Sequence, residues 1–251
     1  MTKPISFEIS TEGIGVLTFS NPPHNAMTSA MLSETAQIIH DNNDAKDVKV
    51  IVIKSNGERA FCAGASFEEL MGITTREEGK TFFSGFAQVI NAIRKSGKIV
   101  IGQVQGKAVG GGVGLAAACD LCFATDHAAV KLSEINIGIG PFVIGPAVTR
   151  RIGVTRFSHL ALSPMEFKPA KWAFDNGLYT SLFENMDQLS QAVMNKAEEL
   201  SKVNPEALTK LKKSLWAGCE DWDDLLDQKA KESGELVLSS FSQSALSKFK
   251  K

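Results

Sequence analysis

Glu134 stands in Leu132-Ser133-Glu134-Ile135-Asn136-Ile137-Gly138, a carboxylate alone among apolar residues and glycines. Such a group faces either a pocket or a set of structural partners. In a pocket, desolvation would push its pKa upward, where it can exchange protons near neutral pH. Upstream, Gly110-Gly111-Gly112-Val113-Gly114 opens into Leu115-Ala116-Ala117-Ala118 directly after a strand-like run. Glycine inside a helix costs about 1 kcal/mol relative to alanine, so four of them need an offsetting gain. The run lacks the Gly-Lys-Ser/Thr ending of a phosphate loop and the spacing of a dinucleotide fingerprint. Backbone N–H donors aimed at a carbonyl oxygen fit it better, because a helix amino terminus carries partial positive charge where an enolate oxygen would develop. A third segment, Arg59-Ala60-Phe61-Cys62-Ala63-Gly64-Ala65-Ser66, joins small side chains to a helix start. It suits either close approach of a ligand to the backbone or an ordinary strand-to-helix turn. Cys119 and Cys122 have C-x-x-C spacing, but no second pair or clustered histidines complete a metal site. No metal is expected, and both cysteines read as small buried residues.

Elements on either side must position these groups. Residues 5–9 and 15–19 read as a strand pair around Thr11-Glu12-Gly13, and Asn21-Pro22-Pro23 breaks the chain. Thr28 then fits an N-cap for a helix carrying Met31, Leu32, Ala36, Ile38 and Ile39. Strands are predicted over 48–53, 99–104 and 121–124, with a helix over 77–94 between the first two. Ser66 with Glu69 three residues later fits a capping box. Strand, helix, strand in that order indicates right-handed β-α-β units and a mostly parallel sheet. Past about residue 145 the strand signals disappear. Helices are predicted over 145–151, 155–162, 169–176, 187–203, 205–217 and 222–241. The expected architecture is an α/β body over 1–190 with a helical segment over 191–251 belonging to the same unit.

The bulk composition narrows the role. The chain has 251 residues, 43% hydrophobic and 22% charged, enough apolar material for a sizeable core. Lys+Arg 27 against Asp+Glu 28 leaves a net charge of −1, which argues against nucleic acid or an anionic membrane as the main partner. The first residues lack a secretory profile and no apolar run approaches a membrane span, so a cytoplasmic protein is the expectation.

Taken together, the three glycine-bearing segments resemble the enoyl-CoA hydratase/isomerase (crotonase) superfamily, nearly end to end. Asn25-Ala26-Met27 matches the family's early Asn-Ala turn, residues 61–66 its Ala-Gly-Ala-Asp loop, and residues 108–120 its Gly-Gly-Gly helix ending in Cys-Asp. Ser133-Glu134 and the downstream helices complete the pattern. The resemblance implies a β-β-α spiral core, a C-terminal helical segment for trimerisation, and trimers often paired into hexamers. It also implies acyl-CoA thioester substrates, with no cofactor apart from the coenzyme A of the substrate. By position, the N–H groups of Ala65 and Gly111 would hold the thioester oxygen and Glu134 would move protons. Pro23, His24, Ala63, Ser66, Phe67 and Gly114 complete the substrate-binding set that the family pattern implies. His24 would lie near the CoA moiety, and the terminal Lys248, Lys250 and Lys251 are candidates for its phosphates.

Two departures matter. Ser66 replaces the usual Asp and can still cap a helix. Gly114 stands where hydratases with two catalytic glutamates carry the first, so only Glu134 is left. The stretch Ile137-Gly138-Ile139-Gly140-Pro141-Phe142-Val143-Ile144-Gly145-Pro146 is similar to that of bacterial methylglutaconyl-CoA hydratases, and on it the expectation is hydration of a 2-enoyl-CoA, with Gly114 leaving space for a second water. The alternatives are a Δ3,Δ2-enoyl-CoA isomerase working with one glutamate and a CoA-binding protein without turnover. Apolar positions such as Leu189, Val193, Leu200, Leu208, Leu211, Leu215, Leu225 and Leu226 occupy more than one helix face, which supports the oligomer expectation.

Overall fold

A computed structural model describes residues 3–248. Ten strands lie among them: β1 (Ile5–Ile9), β2 (Ile14–Phe19), β3 (Val50–Ser55), β4 (Ala60–Cys62), β5 (Ile99–Val104), β6 (Lys107–Val109), β7 (Leu121–Thr125), β8 (Ala129–Lys131), β9 (Lys168–Pro169) and β10 (Ser181–Phe183). They form a six-stranded sheet in the order β1-β2-β3-β5-β7-β10 and a four-stranded sheet in the order β4-β6-β8-β9. Within the larger sheet only β1 and β2 are antiparallel. The remaining neighbours are parallel, as β-α-β connections require.

Helices α1 (Ser29–Asp41), α2 (Phe67–Met71), α3 (Arg76–Lys95) and α4 (Gly111–Ala118) supply the early crossovers. Thr28 caps α1 through its hydroxyl, which accepts from Met31 N, and Thr75 forms a full capping box with Glu78 at the start of α3. Ser66 caps α2 by accepting from Glu69 N. The Glu69 carboxylate does not return the bond. It accepts instead from the N–H and hydroxyl of Ser29 (2.9 and 2.7 Å), so the expected capping box is half formed and its acid ties α2 to α1.

Alternation along the strands divides the core. Leu17, Ile51, Ile53, Val100 and Val104 face the layer between the two sheets, where they meet Phe61, Val113 and Leu115. Ile14, Val50, Val52, Ile99 and Ile101 face the other way, against Leu189, Val193 and Ala197 of α8 (Met186–Ser201). Residues 190 and 191 thus fall inside one helix packed on the main sheet. Before it come α5 (Gly145–Ile152), α6 (Val154–Ala161) and α7 (Ala170–Asp175); after it, α9 (Pro205–Leu215), α10 (Trp222–Leu236) and α11 (Ser240–Ser247).

Two expectations are corrected here. Strands do occur past residue 145, as β9 and β10, but with two and three residues they are too short for any periodicity to register. The expected helix 222–241 is two helices, α10 and α11, with a new cap at Ser239. The apolar positions of the tail are in part spent inside the chain. Leu189, Val193 and Leu226 are buried, while Leu211 and Leu215 stay about half exposed.

α10 runs back across α3. Gly79 and Gly234 let the two backbones touch, since a Cβ on Gly79 would lie 2.7 Å from the Gly234 Cα. Arg94 donates to the Cys219 carbonyl (2.9 Å) and to the Asp223 carboxylate (3.0 Å), which fixes the register. Beneath them Asp120 and Lys212 form an ion pair (2.9 Å) that is almost fully buried. Asp120 also accepts from Val100 N (2.8 Å) and Trp216 Nε1 (3.1 Å), while Lys212 donates to the Lys98 carbonyl (2.6 Å). Burial pushes the Lys212 pKa down and the Asp120 carboxylate pulls it back up. This cluster fastens α9 to the edge of β5 and to the end of α4. Among the described residues no helix is long and apolar enough to cross a membrane.

Candidate active site

The Ala63–Ser66 loop is held from behind by the Asn25 turn. Asn25 is buried at a positive φ of 55°, and its amide donates to the carbonyls of Asn56 (2.7 Å) and Ala60 (2.9 Å). Met27 N then donates to the Gly64 carbonyl, and Ser66 N donates to the Met27 carbonyl, each at 2.8 Å. Those two bonds skip the Ala65 N–H, which has no acceptor among the described residues. The Gly111 N–H opens α4, where the first turn has no intrahelical acceptor, and it too is unpaired. The two loops abut: a Cβ on Gly64 would lie 3.5 Å from Gly111 N.

Glu134 reaches the same place from a single 3-10 turn, Glu134–Ile137, that follows β8. Gly110, at φ 54°, lies against its carboxylate, and a Cβ there would sit 2.8 Å from Glu134 Oε1. Any side chain at 110 would therefore strain the backbone and displace the acid. Glu134 Oε2 is out of contact with solvent and has no hydrogen-bond partner among the described residues. Desolvation pushes the carboxyl up to about 7, against the pull of the Glu134 and Ser133 N–H groups. A buried acid with one unpartnered oxygen, poised near neutrality, is unusual in a structural role and ordinary in a proton-transfer site.

These groups line a cavity of about 450 Å³. Ala63, Ala65, Phe67, Gly111 and Glu134 of the sequence-derived set are on its wall. Pro23 and His24 are exposed and do not line it, and Ser66 is a buried helix cap. Phe82, Phe83 and Phe86 of α3 and Leu70 of α2 are also on the wall, whereas Met71 is not. Lys248 is exposed; Lys250 and Lys251 lie outside the described residues.

Gly114 is the main correction. It is buried beneath the wall, and the space expected beside it is filled by Ile144. A Cβ on Gly114 would lie 2.3 Å from Ile144 Cγ2 and 2.6 Å from Ile144 Cβ. No room is left there for a water or a second carboxylate. Gly114→Glu is accordingly expected to destabilise the protein by roughly 1–3 kcal/mol or more, the cost of an overpacked core, read as a lower melting temperature, and to add no hydration of unbranched 2-enoyl-CoA. A folded Gly114→Glu variant with faster hydration would show that Ile144 yields. Sequence reasoning also missed Ile144, Met165 and Ser233 as wall residues. Nothing local marks Ser233. It arrives through the α3–α10 crossing, a contact between distant parts of the chain.

Among the described residues, two unpaired N–H groups meet at a loop and a helix start with a buried acid on the same cavity wall, an arrangement able to hold a carbonyl oxygen and exchange a proton beside it. The model of the enoyl-CoA hydratase/isomerase family matches residues 10–248, and the chain belongs to that family. It is 28% identical over 224 residues to a probable enoyl-CoA hydratase of Bacillus subtilis, across 88% of this chain and 86% of that one. It is 26% identical over 215 residues to a peroxisomal delta(3,5)-delta(2,4)-dienoyl-CoA isomerase of Arabidopsis thaliana, across 79% of this chain and 76% of that one. The crystal structure of an enoyl-CoA hydratase from Bacillus halodurans shares the fold, with a TM-score of 0.90, 21% identity, and coverage of 98% of this chain and all of that one. Hydratases and isomerases both occur among these relatives, so membership alone does not choose the reaction.

Proposed function

We propose that the protein binds an enoyl-CoA thioester and moves its double bond by a single-base proton transfer. The observation that carries this reading is Glu134. It is the lone carboxylate on the cavity wall among the described residues, and the Gly114 side of the cavity is closed by Ile144. The thioester oxygen accepts from the N–H groups of Ala65 and Gly111. Ionised Glu134 removes a proton from C2 of a 3-enoyl thioester, and the charge passes to the oxygen as a dienolate. The protonated acid then returns the proton at C4, leaving the double bond between C2 and C3. One carboxylate suffices, and each backbone donor contributes roughly 2.7–4 kcal/mol to holding the developing charge.

Hydration of a 2-enoyl-CoA is the second reading. The hydratases among the relatives favour it, and so does the resemblance of residues 137–146 to the methylglutaconyl-CoA hydratase-like subgroup. In that reaction Glu134 alone would take the proton from water and deliver one to C2. The two reactions separate in water enriched with heavy oxygen, using panels of 2-enoyl-CoA and 3-enoyl-CoA. Double-bond migration without label in the product is the expected result. Label at C3 as the dominant product identifies the hydratase instead, and no turnover of either panel defeats both.

A further inference from the structure

Beyond Glu134 the cavity is walled by Leu70, Phe82, Phe83, Ile139, Phe142 and Val143. Leu70, Phe82 and Ile139 belong to a separate apolar cluster with Val237 and Leu246, so this end of the cavity is backed by packed side chains. Phe82 and Phe83 meet edge to face with centroids 5.1 Å apart. Two of the polar side chains on the wall are engaged. Ser233 donates to the Lys229 carbonyl (2.9 Å), and the Asn136 amide donates to the Pro164 carbonyl (3.1 Å).

The cations around this space are held by aromatic rings or by an acid. Lys131 is the only basic residue on the wall among the described residues, and its ammonium lies 4.5 Å above the Phe167 ring. Lys107, an exposed residue, shares that ring at 5.0 Å, which places the pair toward the outer surface. Lys229 lies 6.0 Å from the centre of the Phe142 ring, with its ammonium bound to both oxygens of Glu232 (3.0 and 2.9 Å). The charged residues on the wall are Lys131, held over the Phe167 ring, and the acid Glu134.

We infer that the acyl site selects an uncharged apolar acyl chain and rejects acyl groups that end in a carboxylate. The inference rests on the thioester reading above and narrows its substrate class, away from the carboxylated methylglutaconyl type. A distal carboxylate placed among Leu70, Phe82, Phe83, Ile139, Phe142 and Val143 would be desolvated against aromatic and aliphatic side chains, and the one basic wall residue among the described residues, Lys131, is already held over Phe167. It would also face the Glu134 charge. An unpaired charge in such a place costs several kcal/mol, whereas a methyl group there gains from leaving water.

The test compares hexanoyl-CoA with adipyl-CoA, which have six-carbon acyl groups that differ in a terminal methyl against a carboxylate. Both are saturated and are not turned over, so the wild-type protein can be titrated calorimetrically at pH 8, with free CoA as the reference. Hexanoyl-CoA is expected to bind at least about 30-fold tighter than adipyl-CoA, with adipyl-CoA no better than free CoA. Adipyl-CoA binding as tightly as hexanoyl-CoA, with both above free CoA, overturns the acyl preference and leaves the thioester site standing. Hexanoyl-CoA binding no better than free CoA overturns both.

Discussion

Glu134→Gln is expected to lower kcat by about 10²–10⁴-fold, the usual loss of a general acid–base group, with little change in the affinity for acyl-CoA. The Ala65 and Gly111 donors are backbone groups and survive the change. The wild-type pH profile carries the same signature. Burial holds the carboxyl near 7, and the proposed base is the ionised form, so kcat/KM should climb with pH and level off above about 8. The glutamine variant should lack that limb.

Stability runs the other way. The native carboxyl binds its proton more tightly than the unfolded chain does, so its favourable contribution is complete below the ordinary value of 4.5 and is lost as pH rises through about 7. Glu134→Gln should therefore gain stability relative to wild type between pH 5 and 8, by up to about 3 kcal/mol, read as a rise in melting temperature. Turnover unchanged in the variant would remove Glu134 from the mechanism. A melting difference that stays flat with pH would contradict its desolvation.

The second large effect is expected at Asp120. Asp120→Ala leaves the buried Lys212 ammonium with only the Lys98 carbonyl, and strips Val100 N and Trp216 Nε1 of their acceptor. Removing one partner of a buried pair costs roughly 3–5 kcal/mol, to be read as a fall in the urea midpoint at constant slope. Asp120→Ala with Lys212→Met should recover part of the loss, because the unpaired charge is then gone. A single-variant cost below about 1 kcal/mol would mean that water reaches Lys212.

What could be read from the chain follows the range of the interactions. The β-branched runs of β3 and β5 and the caps at Thr28 and Ser66 are local patterns, and each lies within a few residues of its expected place. Glu134 was legible because an acid among glycines and isoleucines has no local partner to explain it. The smaller sheet was not legible. Its strands β4, β6, β8 and β9 have two or three residues each and are defined by pairing across the spiral. Gly114 misled for a related reason. A glycine shows that a side chain is missing, but not which neighbour has taken the space, and Ile144 belongs to the segment before α5.

The crossing of α10 over α3 sets an order of events while the chain is being made. Arg94 and Asp223, which lock that crossing, are 129 residues apart. At the usual 5–20 residues per second, α3 has been synthesised for on the order of ten seconds before its partner emerges. Throughout that interval α3 lacks its α10 cover, and Gly79 lacks the Gly234 backbone it packs against. Of the residues that line the cavity, only Ser233 is then still missing. Nascent chains of this length are where a holding chaperone would find the most apolar surface to grip, and where truncation short of α10 would be most damaging to solubility.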